Sequence, residues 1–327
     1  MAILLLPPAL AAAQAVQWRS VLDQPASWYG TSHAVAIADR VLTWQHTDGG
    51  WPKDIDMTAP STPLRAGRTA DRANAGRQDS TIDNGATVTQ IRLLDRVFVA
   101  TGALRFKDAA LRGIEYLFAA QYRNGGWPQF FPLRDDYSRH ITFNDDAMSG
   151  VLALLEDLVG GRALPFVDEA RRARAANAID RATELILRAQ VRVDGRLTAW
   201  CAQHDAVTLA PRPARSYEHV SLSGRESVEI IRFLMRRPPR PEIVEAVDAA
   251  VGWLRQVRGS DGTWARFYEI GTNRPIFSGR DGIVRYDIRQ IERERQTGYA
   301  WTGTWPARLL DTEYPRWRER LSASRAR

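Results

Sequence analysis

The stretches QHTDGGWP at residues 45–52 and QYRNGGWP at residues 121–128 are two copies of one motif. Weaker copies follow and end at Trp200 and Trp264. Each copy follows a stretch in which apolar residues recur with helical spacing. Acidic residues follow the first two copies, near the start of the next helix. Repetition of this order predicts stacked supersecondary units, here a helical toroid with a site at one pole.

Apolar residues recur with helical spacing through most of the chain. The predicted helices cover residues 34–45, 84–100, 106–121, 145–159, 167–190, 226–235 and 241–257, with a last charged helix at 286–296. Short extended segments are predicted only at 265–270 and 283–287, and a long polar loop at 54–80. The pattern predicts a mostly all-α fold, a partial α/α toroid of about three helical hairpins with long irregular loops and little β structure.

The chain has 327 residues, a net charge of +7 and an isoelectric point near 9.9. Lys53 and Lys107 are the only lysines among its 45 basic residues. This arginine excess reflects either codon usage in a GC-rich genome or a polyanionic partner, because guanidinium groups match carboxylates and phosphates. No nucleic-acid-binding motif accompanies the charge, which favours an acidic polymer other than nucleic acid.

The first residues resemble an export signal. Residues 2–15 are apolar with small residues near the end, although no basic residues precede them. They are too short to span a bilayer. We therefore predict a signal-like segment at 1–15, a single catalytic domain at 16–327, and secretion or a periplasmic location. A frayed terminal helix is the alternative. Cys201 is the only cysteine, which excludes an internal disulfide.

Acidic residues cluster at three predicted helix starts: DSTIDNGAT at 79–87, TFNDDA at 142–147 and SLSGRES at 221–227. Alternate helices of a toroid start at the same end, so these segments should converge. Converging carboxylates need a cation, and hard oxygen ligands select calcium. Helix capping is the competing explanation for any one acidic residue. The two similar contexts of Asp83 and Asp145 favour a site for that pair.

Three arginines, Arg215, Arg266 and Arg280, lie among aromatic and turn residues rather than on amphipathic helix faces. A surface arginine is usually just solvated. An aromatic floor beside a guanidinium group, however, suits an acidic sugar. The sequence contains no zinc-protease motif, phosphate-binding loop or dinucleotide-binding motif.

Six segments together resemble the family-ten polysaccharide lyases, which are pectate lyases. They are GGWPKDIDM, STIDNGATVTQIRLL, AAQYRNGGWPQFFPL, HITFNDDAMSGVLALLE, ARSYE and WARFYEIGTNRPIFSGRDG. The match extends from about Trp18 to Tyr299, with the motifs in order. The resemblance implies a partial α/α toroid that cleaves polygalacturonate by calcium-dependent β-elimination, and we expect a monomer.

The resemblance also implies roles for single residues. Asp83 and Asp145 match the aspartates that serve calcium and substrate, and Arg280 matches the proton-abstracting arginine. The predicted substrate-binding residues are Arg215, which matches a substrate-binding arginine of the family, with Arg266, Asn84 and Trp127. Asp79 and Arg225 depart from the family pattern, which has a lysine and a small or polar residue there.

Two other functions are compatible with parts of the pattern. A glutamine followed by Gly-Gly-Trp also resembles the repeat of terpene cyclases, which are α/α barrels, but their DxDD motif is absent here. A non-catalytic pectin-binding protein could use the same scaffold. It would be expected to lose the matched aspartates or the base, and all are present.

Overall fold

Helices dominate the computed structural model, which describes residues 16–59 and 79–325. The α-helices within these ranges are α1 Ser32–Thr43, α2 Val88–Thr101, α3 Leu104–Ala120, α4 Ala147–Val159, α5 Glu169–Ala189, α6 Glu226–Met235, α7 Pro241–Gln256, α8 Arg293–Gly298 and α9 Tyr314–Arg325. The prediction of a mostly helical fold is confirmed.

Three helical hairpins form the body of the molecule. The pairs α2–α3, α4–α5 and α6–α7 each pack together. Across the hairpins, α2 contacts α4 and α4 contacts α6, while α3 contacts α5 and α5 contacts α7. Helix α1 packs against α2 and α3. Two concentric rows of helices result, which is the predicted partial α/α toroid.

The inner helices bury their apolar stripes in a common core. In α4, Met148, Val151, Leu152, Leu155 and Leu158 are all buried, as their helical spacing predicts. Full burial of one such side chain stabilises the fold by about 1.5–3 kcal/mol. The core therefore holds the N-terminal ends of α2, α4 and α6 in fixed relative positions.

In three of the four motif copies, the glutamine ties its own loop to a helix of the next hairpin. The Gln45 side-chain amide donates to the Gly49 carbonyl of its own loop, at 2.9 Å, and to the Ala109 carbonyl of α3, also at 2.9 Å. Two further glutamines make equivalent pairs: Gln121 to Gly125 and Ala178 of α5, and Gln190 to Thr198 and Ala246 of α7. Each of these three motifs thus ties its loop to the next outer helix.

The tryptophan of each motif is a core residue. The indole N–H of Trp51 donates to the Val41 carbonyl near the end of the preceding helix, at 2.8 Å. Trp127, Trp200 and Trp264 make the same kind of bond to preceding helices. All four side chains are fully buried. The predicted role of Trp127 in substrate binding is therefore wrong, since its ring is enclosed by the core.

Short antiparallel pairs join the loops at one end of the ring. The strands span two residues each: β1 Ile141–Thr142, β2 Arg192–Val193, β3 Arg196–Leu197, β4 Gln203–His204, β5 Leu222–Ser223, β6 Trp264–Ala265, β7 Phe267–Tyr268, β8 Phe277–Ser278, β9 Val284–Arg285 and β10 Thr302–Gly303. They pair as β1–β4, β2–β3, β5–β7, β6–β10 and β8–β9. The two extended segments predicted from sequence correspond to β6, β7 and β9, although each is shorter than expected.

The C-terminal part differs from the sequence prediction. Instead of one helix over 286–296, a single 3-10 turn at Ile288–Gln290 precedes the short α8. Helix α9 was not predicted, because only Tyr314, Trp317 and Leu321 of its polar sequence pack on the core. The predicted signal-like segment and most of the predicted loop at 54–80 lie outside the described residues. Within the described ranges, no helix is long and apolar enough to cross a membrane.

Candidate active site

Two single-turn segments, Asp83–Gly85 and Asn144–Asp146, pack against each other at one end of the ring. Equivalent backbone bonds hold them: the N–H groups of Thr81 and Thr142 each donate to the carbonyl of their motif tryptophan, at 3.1 Å. Ser223, just before α6, bonds in the same way to Trp200, at 2.8 Å. The predicted convergence of the three acidic segments is therefore confirmed.

The aspartates of these turns do not cap helices. Helix α2 begins at Val88 and α4 at Ala147, later than the predicted starts at residues 84 and 145. Asn84 and Asp145 adopt left-handed backbone angles, with φ of 51° and 49°. Such conformations are costly for residues other than glycine and concentrate at functional sites. The capping explanation is thereby removed for Asp83 and Asp145.

Asp83 is buried beside a single cation. Its Oδ2 accepts a hydrogen bond from Lys53 Nζ at 2.6 Å, while its Oδ1 is buried without a hydrogen-bond partner among the described residues. Although burial lowers the pKa of Lys53, the charge and hydrogen bond of Asp83, together with the charge of Asp54, outweigh this effect and raise the pKa above its ordinary value. One carboxylate oxygen of Asp83 therefore keeps its capacity for a further ligand.

Asp145 is surrounded by donors. Its Oδ1 accepts from Arg225 Nη1 at 2.8 Å and from Arg266 Nη2 at 2.9 Å, and its Oδ2 accepts from Asn144 Nδ2 at 2.8 Å. Burial alone raises the pKa of Asp145, but the two guanidinium groups outweigh it and hold the pKa below the ordinary range. Asp145 is thus ionised and fully hydrogen-bonded at neutral pH.

Arg266 and Glu226 form a buried ion pair beneath Asp145. Arg266 Nη2 lies 2.5 Å from Glu226 Oε1 and 2.9 Å from Asn144 Oδ1. The Arg266 side chain is only 3% exposed and that of Glu226 is inaccessible. Burial lowers the pKa of Arg266, yet the carboxylates of Glu226 and Asp145 raise it overall. Arg266 therefore holds the carboxylates of Asp145 and Glu226 in place. The sequence did not predict that Glu226 takes part in this ion pair.

Arg215 occupies a second position beside the turns. It makes a two-pronged ion pair with Glu218, at 2.8 and 2.6 Å, and lies over the Tyr217 and Tyr299 rings. The Tyr299 hydroxyl donates to the same Glu218, at 2.8 Å. The sequence indicated Arg215 through its aromatic neighbours but not its pairing with Glu218, three residues away, or the contact with Tyr299, which comes from a distant segment.

Tyr137 connects the Arg215 and Asp83 regions. Burial raises the pKa of its phenol, and the charges of Arg215, Glu218 and Lys53 also act on it. Arg215, Glu218 and Lys53 are thus all close enough to act electrostatically on the same tyrosine.

Arg280 pairs with carboxylates other than those of the two turns. Its side chain is 67% exposed and pairs with Glu294, while its backbone N–H donates to Glu292 at 3.2 Å. The charge of Glu294 raises the pKa of Arg280. Among the described residues, neither Asp83 nor Asp145 is a hydrogen-bond or ion-pair partner of Arg280.

Asn84 forms part of the wall of an adjoining pocket of about 490 Å³, together with Lys53 and Trp18. The Asn84 side-chain amide donates to Asp54 Oδ1 at 3.1 Å, and the residue is exposed. Asn84 is therefore accessible to a ligand, in contrast to Trp127.

The described residues contain no group of three or more His, Cys, Asp or Glu side chains arranged to hold a metal ion. Asp83 and Asp145 lie in adjacent turns, as predicted, but most of the oxygen atoms of the pair already bind protein cations and donors. Any metal bound here would need further ligands from substrate or solvent.

Comparison with known proteins identifies the scaffold that carries this site. The sequence profile of a family described as pectic acid lyase matches residues 45–263 and 256–310. The chain belongs to this family. The predicted enzyme class, a polysaccharide lyase, and the predicted resemblance to pectate lyases of family ten are confirmed.

Two solved structures of a family 10 polysaccharide lyase from Cellvibrio cellulosa are similar to this chain. The first is 36% identical, covers 88% of this chain and 94% of its own, and superposes with a TM-score of 0.76. The second, an aspartate-to-alanine mutant in complex with trigalacturonic acid, is 35% identical, covers 91% and 98%, and has a TM-score of 0.77. No curated protein sequence matches significantly.

Proposed function

We propose that this protein cleaves polygalacturonate by calcium-assisted anti-β-elimination, with an arginine as base, to give 4,5-unsaturated oligogalacturonides. The observation that carries the proposal is the meeting of Asp83 and Asp145 with Lys53 and several arginines in one cluster. Guanidinium groups bind carboxylates with two parallel hydrogen bonds, so such a cluster suits a chain of acidic sugars. The trigalacturonic acid bound to a similar enzyme supports the same substrate class.

The reaction breaks a bond without adding water. A base removes the C5 proton, which is only weakly acidic because it is α to a carboxylate. The C5–H electron pair forms the C4–C5 double bond while the C4–O4 bond breaks. Its electron pair stays on the departing oxygen, which then takes a proton. Groups that stabilise the enolate-like charge at C5 and the carboxylate accelerate this step.

We propose calcium as the cofactor and Asp83 as its protein ligand. The buried, unpartnered Oδ1 of Asp83 fits a cation, whereas Oδ1 of Asp145 is bonded to Arg225 and Arg266 and its Oδ2 to Asn144. Calcium takes about six to eight oxygen ligands, so substrate and water would complete its shell. When bound, it would withdraw charge from the substrate carboxylate.

The protein's own residues bind and orient the substrate. Arg215 is partly exposed, with 40% of its side chain accessible, and can reach a sugar carboxylate at the expense of its Glu218 pair. Arg266 is too deeply buried for that role, so it fixes Asp145 and Glu226 instead. Asn84 supplies a polar group at the wall of the adjoining pocket.

Two arginines are candidates for the base. The family resemblance points to Arg280, whose guanidinium is exposed and whose pKa is raised by Glu294. The second candidate is Arg215, because its side chain is 40% exposed and lies over the Tyr217 and Tyr299 rings. A base must first lie within reach of the proton that it removes. Carboxylates raise the pKa of both side chains, so either one would need alkaline conditions or a change of partner on substrate binding.

We further propose that the protein acts outside the cytoplasm as a monomer. Its substrate is a polymer too large to enter a cell, and residues 2–15 resemble an export signal. Expression of the full chain in a bacterium, followed by fractionation and sizing of the released protein, tests both statements.

The activity is tested by the ultraviolet absorbance of the unsaturated product. Polygalacturonate should give this signal with calcium and lose it with EDTA. Highly methylated pectin should react much more slowly, because esterification removes the carboxylate that calcium and Arg215 bind. Binding of polygalacturonate without any absorbance would instead identify a non-catalytic pectin-binding protein.

A further inference from the structure

We infer that Arg225 acts as a built-in counter-cation at Asp145 and thereby weakens calcium binding by this protein. The inference rests on the proposed calcium dependence. Arg225 thus determines the calcium concentration that the enzyme requires. This role is separate from substrate binding and from proton transfer.

The contacts of Arg225 all go to carboxylates of the site. Its Nη1 lies 2.8 Å from Asp145 Oδ1 and 3.1 Å from Glu226 Oε1, and its Nη2 lies 3.4 Å from Asp146 Oδ2. The charges of these residues raise the pKa of Arg225, although burial lowers it. Arg225 is therefore a permanent positive charge placed among the acidic groups that a divalent cation would use.

Arg225 and Arg266 differ in how easily they can leave. Arg266 is 3% exposed, and its Nη2 bonds to Asn144, Asp145 and Glu226 at once. Arg225 is 23% exposed, and its longest contact, to Asp146, is weak. We expect Arg266 to stay in place when calcium binds, and Arg225 to be the group that must move.

Calcium binding at Asp145 and the ion pair between Arg225 and Asp145 exclude each other. A calcium ion approaching Asp145 would meet a guanidinium already bonded to Oδ1, and the two positive charges repel each other at short range. Because the two states exclude each other, they are linked by a coupling free energy. The ion pair therefore lowers calcium affinity by the same factor by which bound calcium weakens the ion pair. The same argument does not apply to Oδ1 of Asp83, which has no partner among the described residues.

Calorimetric titration of calcium into the metal-free full-length protein, without substrate, tests the inference. The variants are Arg225→Gln, which keeps much of the side-chain length without the charge, and Arg225→Ser. Both should bind calcium at least ~10-fold more tightly than the wild type, equivalent to about 1.4 kcal/mol. Arg225→Lys, which keeps the charge, should stay closer to the wild type than either neutral variant.

The matched control is Arg289→Ser, which removes the same charge from an exposed arginine that pairs with Asp287. It should leave calcium affinity unchanged, which separates the local effect from that of net charge. Affinity in Arg225→Gln equal to or weaker than that of the wild type would overturn the inference. A second measurement uses product absorbance: the calcium concentration for half-maximal rate should be lower in Arg225→Gln than in the wild type, and an unchanged value would also overturn it.

Failure of the proposed function has a different signature. If no unsaturated product forms at any calcium concentration, the lyase mechanism is wrong for this protein. The calorimetric comparison of Arg225→Gln with the wild type remains decisive in that case, because it needs no turnover.

Discussion

The two aspartate turns share one backbone arrangement but differ in what surrounds their carboxylates. In the first turn, Asp83 pairs with Lys53 and keeps one buried oxygen without a partner among the described residues. In the second, Asp145 has both oxygens bonded, with Arg225 and Arg266 on Oδ1. One turn therefore retains the capacity to bind a cation, and the other has been made into part of an ion-pair network.

The difference shows that equivalent positions in a repeat can take up different tasks through their long-range neighbours. Lys53 follows the first motif directly, whereas Arg225 and Arg266 belong to later segments of the chain. The turns themselves are held by the same bonds to Trp51 and Trp127. Substitutions at the aspartates should therefore produce separable defects, in metal binding for one and in folding stability for the other.

The largest effect is expected from substitution of the base. The position of the base also shows which of the two aspartate turns lies nearer the reacting sugar. Replacement of the base arginine by lysine should lower kcat at least ~10²-fold with a smaller change in KM, because the amine cannot occupy the same position. Steady-state kinetics of Arg215→Lys and Arg280→Lys should show this defect in one variant. The rate of the wild type should also rise with pH well above neutrality.

The kinetics of the two variants identify which arginine is the base. A kcat defect in Arg215→Lys places the base beside Tyr137 and the Asp83 turn, whereas a defect in Arg280→Lys alone supports the assignment from the family resemblance. A normal kcat in both variants would rule out both candidates.

Asp83→Asn should weaken calcium binding at least ~10-fold, because an amide oxygen replaces a charged ligand. Its thermal stability should change little, since the variant removes one ion pair with a partly exposed lysine. Calorimetric titration with calcium measures the first quantity and a melting curve the second. Asp39→Asn, which removes an exposed carboxylate paired with Arg105, is the control. Unchanged calcium affinity would show that the unpartnered oxygen is not a ligand.

Asp145→Asn should show the opposite pattern. We expect the free energy of unfolding to fall by about 1 kcal/mol, because two partly or fully buried guanidinium groups lose a charged partner. The loss stays at the lower end because Glu226 still faces both arginines. Urea denaturation of the variant beside Asp83→Asn gives the comparison. Equal destabilisation in the two variants would contradict the division of tasks.

The smallest effect is in the pH dependence of stability. The pKa of Asp145 is lowered from its ordinary value of 3.8, so its contribution to stability is present above 3.8 and disappears as the pH falls through the folded-state value. The stability difference between the wild type and Asp145→Asn should therefore shrink below a pH of about 4. Urea denaturation at a series of pH values measures this, and a constant difference would contradict it.

The sequence predicted the fold better than the details of the site. Helical periodicity and the repeated motif were sufficient for the three hairpins and for the convergence of Asp83 and Asp145, since both are local patterns repeated in register. The start of α4 was displaced by two residues, because Asp145 and Asp146 take left-handed angles that an aspartate rarely adopts.

The wrong predictions for Trp127 and Arg266 have a common cause. Trp127 was predicted to bind substrate, but its hydrogen bond to Leu117 belongs to the repeat's internal packing. The burial of Arg266 with Glu226 depends on segments that are far apart in the chain. Neither residue's environment can be deduced from its neighbours in sequence, because tertiary contacts determine it.

The glutamine bridges have a consequence for how the molecule opens. Gln45, Gln121 and Gln190 each anchor a loop to the outer helix of the following hairpin through a hydrogen bond of 2.9 Å. One hairpin cannot unfold without releasing the loop of the hairpin before it. Hydrogen exchange of the buried amides should then report concerted openings that include neighbouring hairpins, rather than independent fraying of each one. We therefore expect the two aspartate turns to open together with the hairpins that carry them.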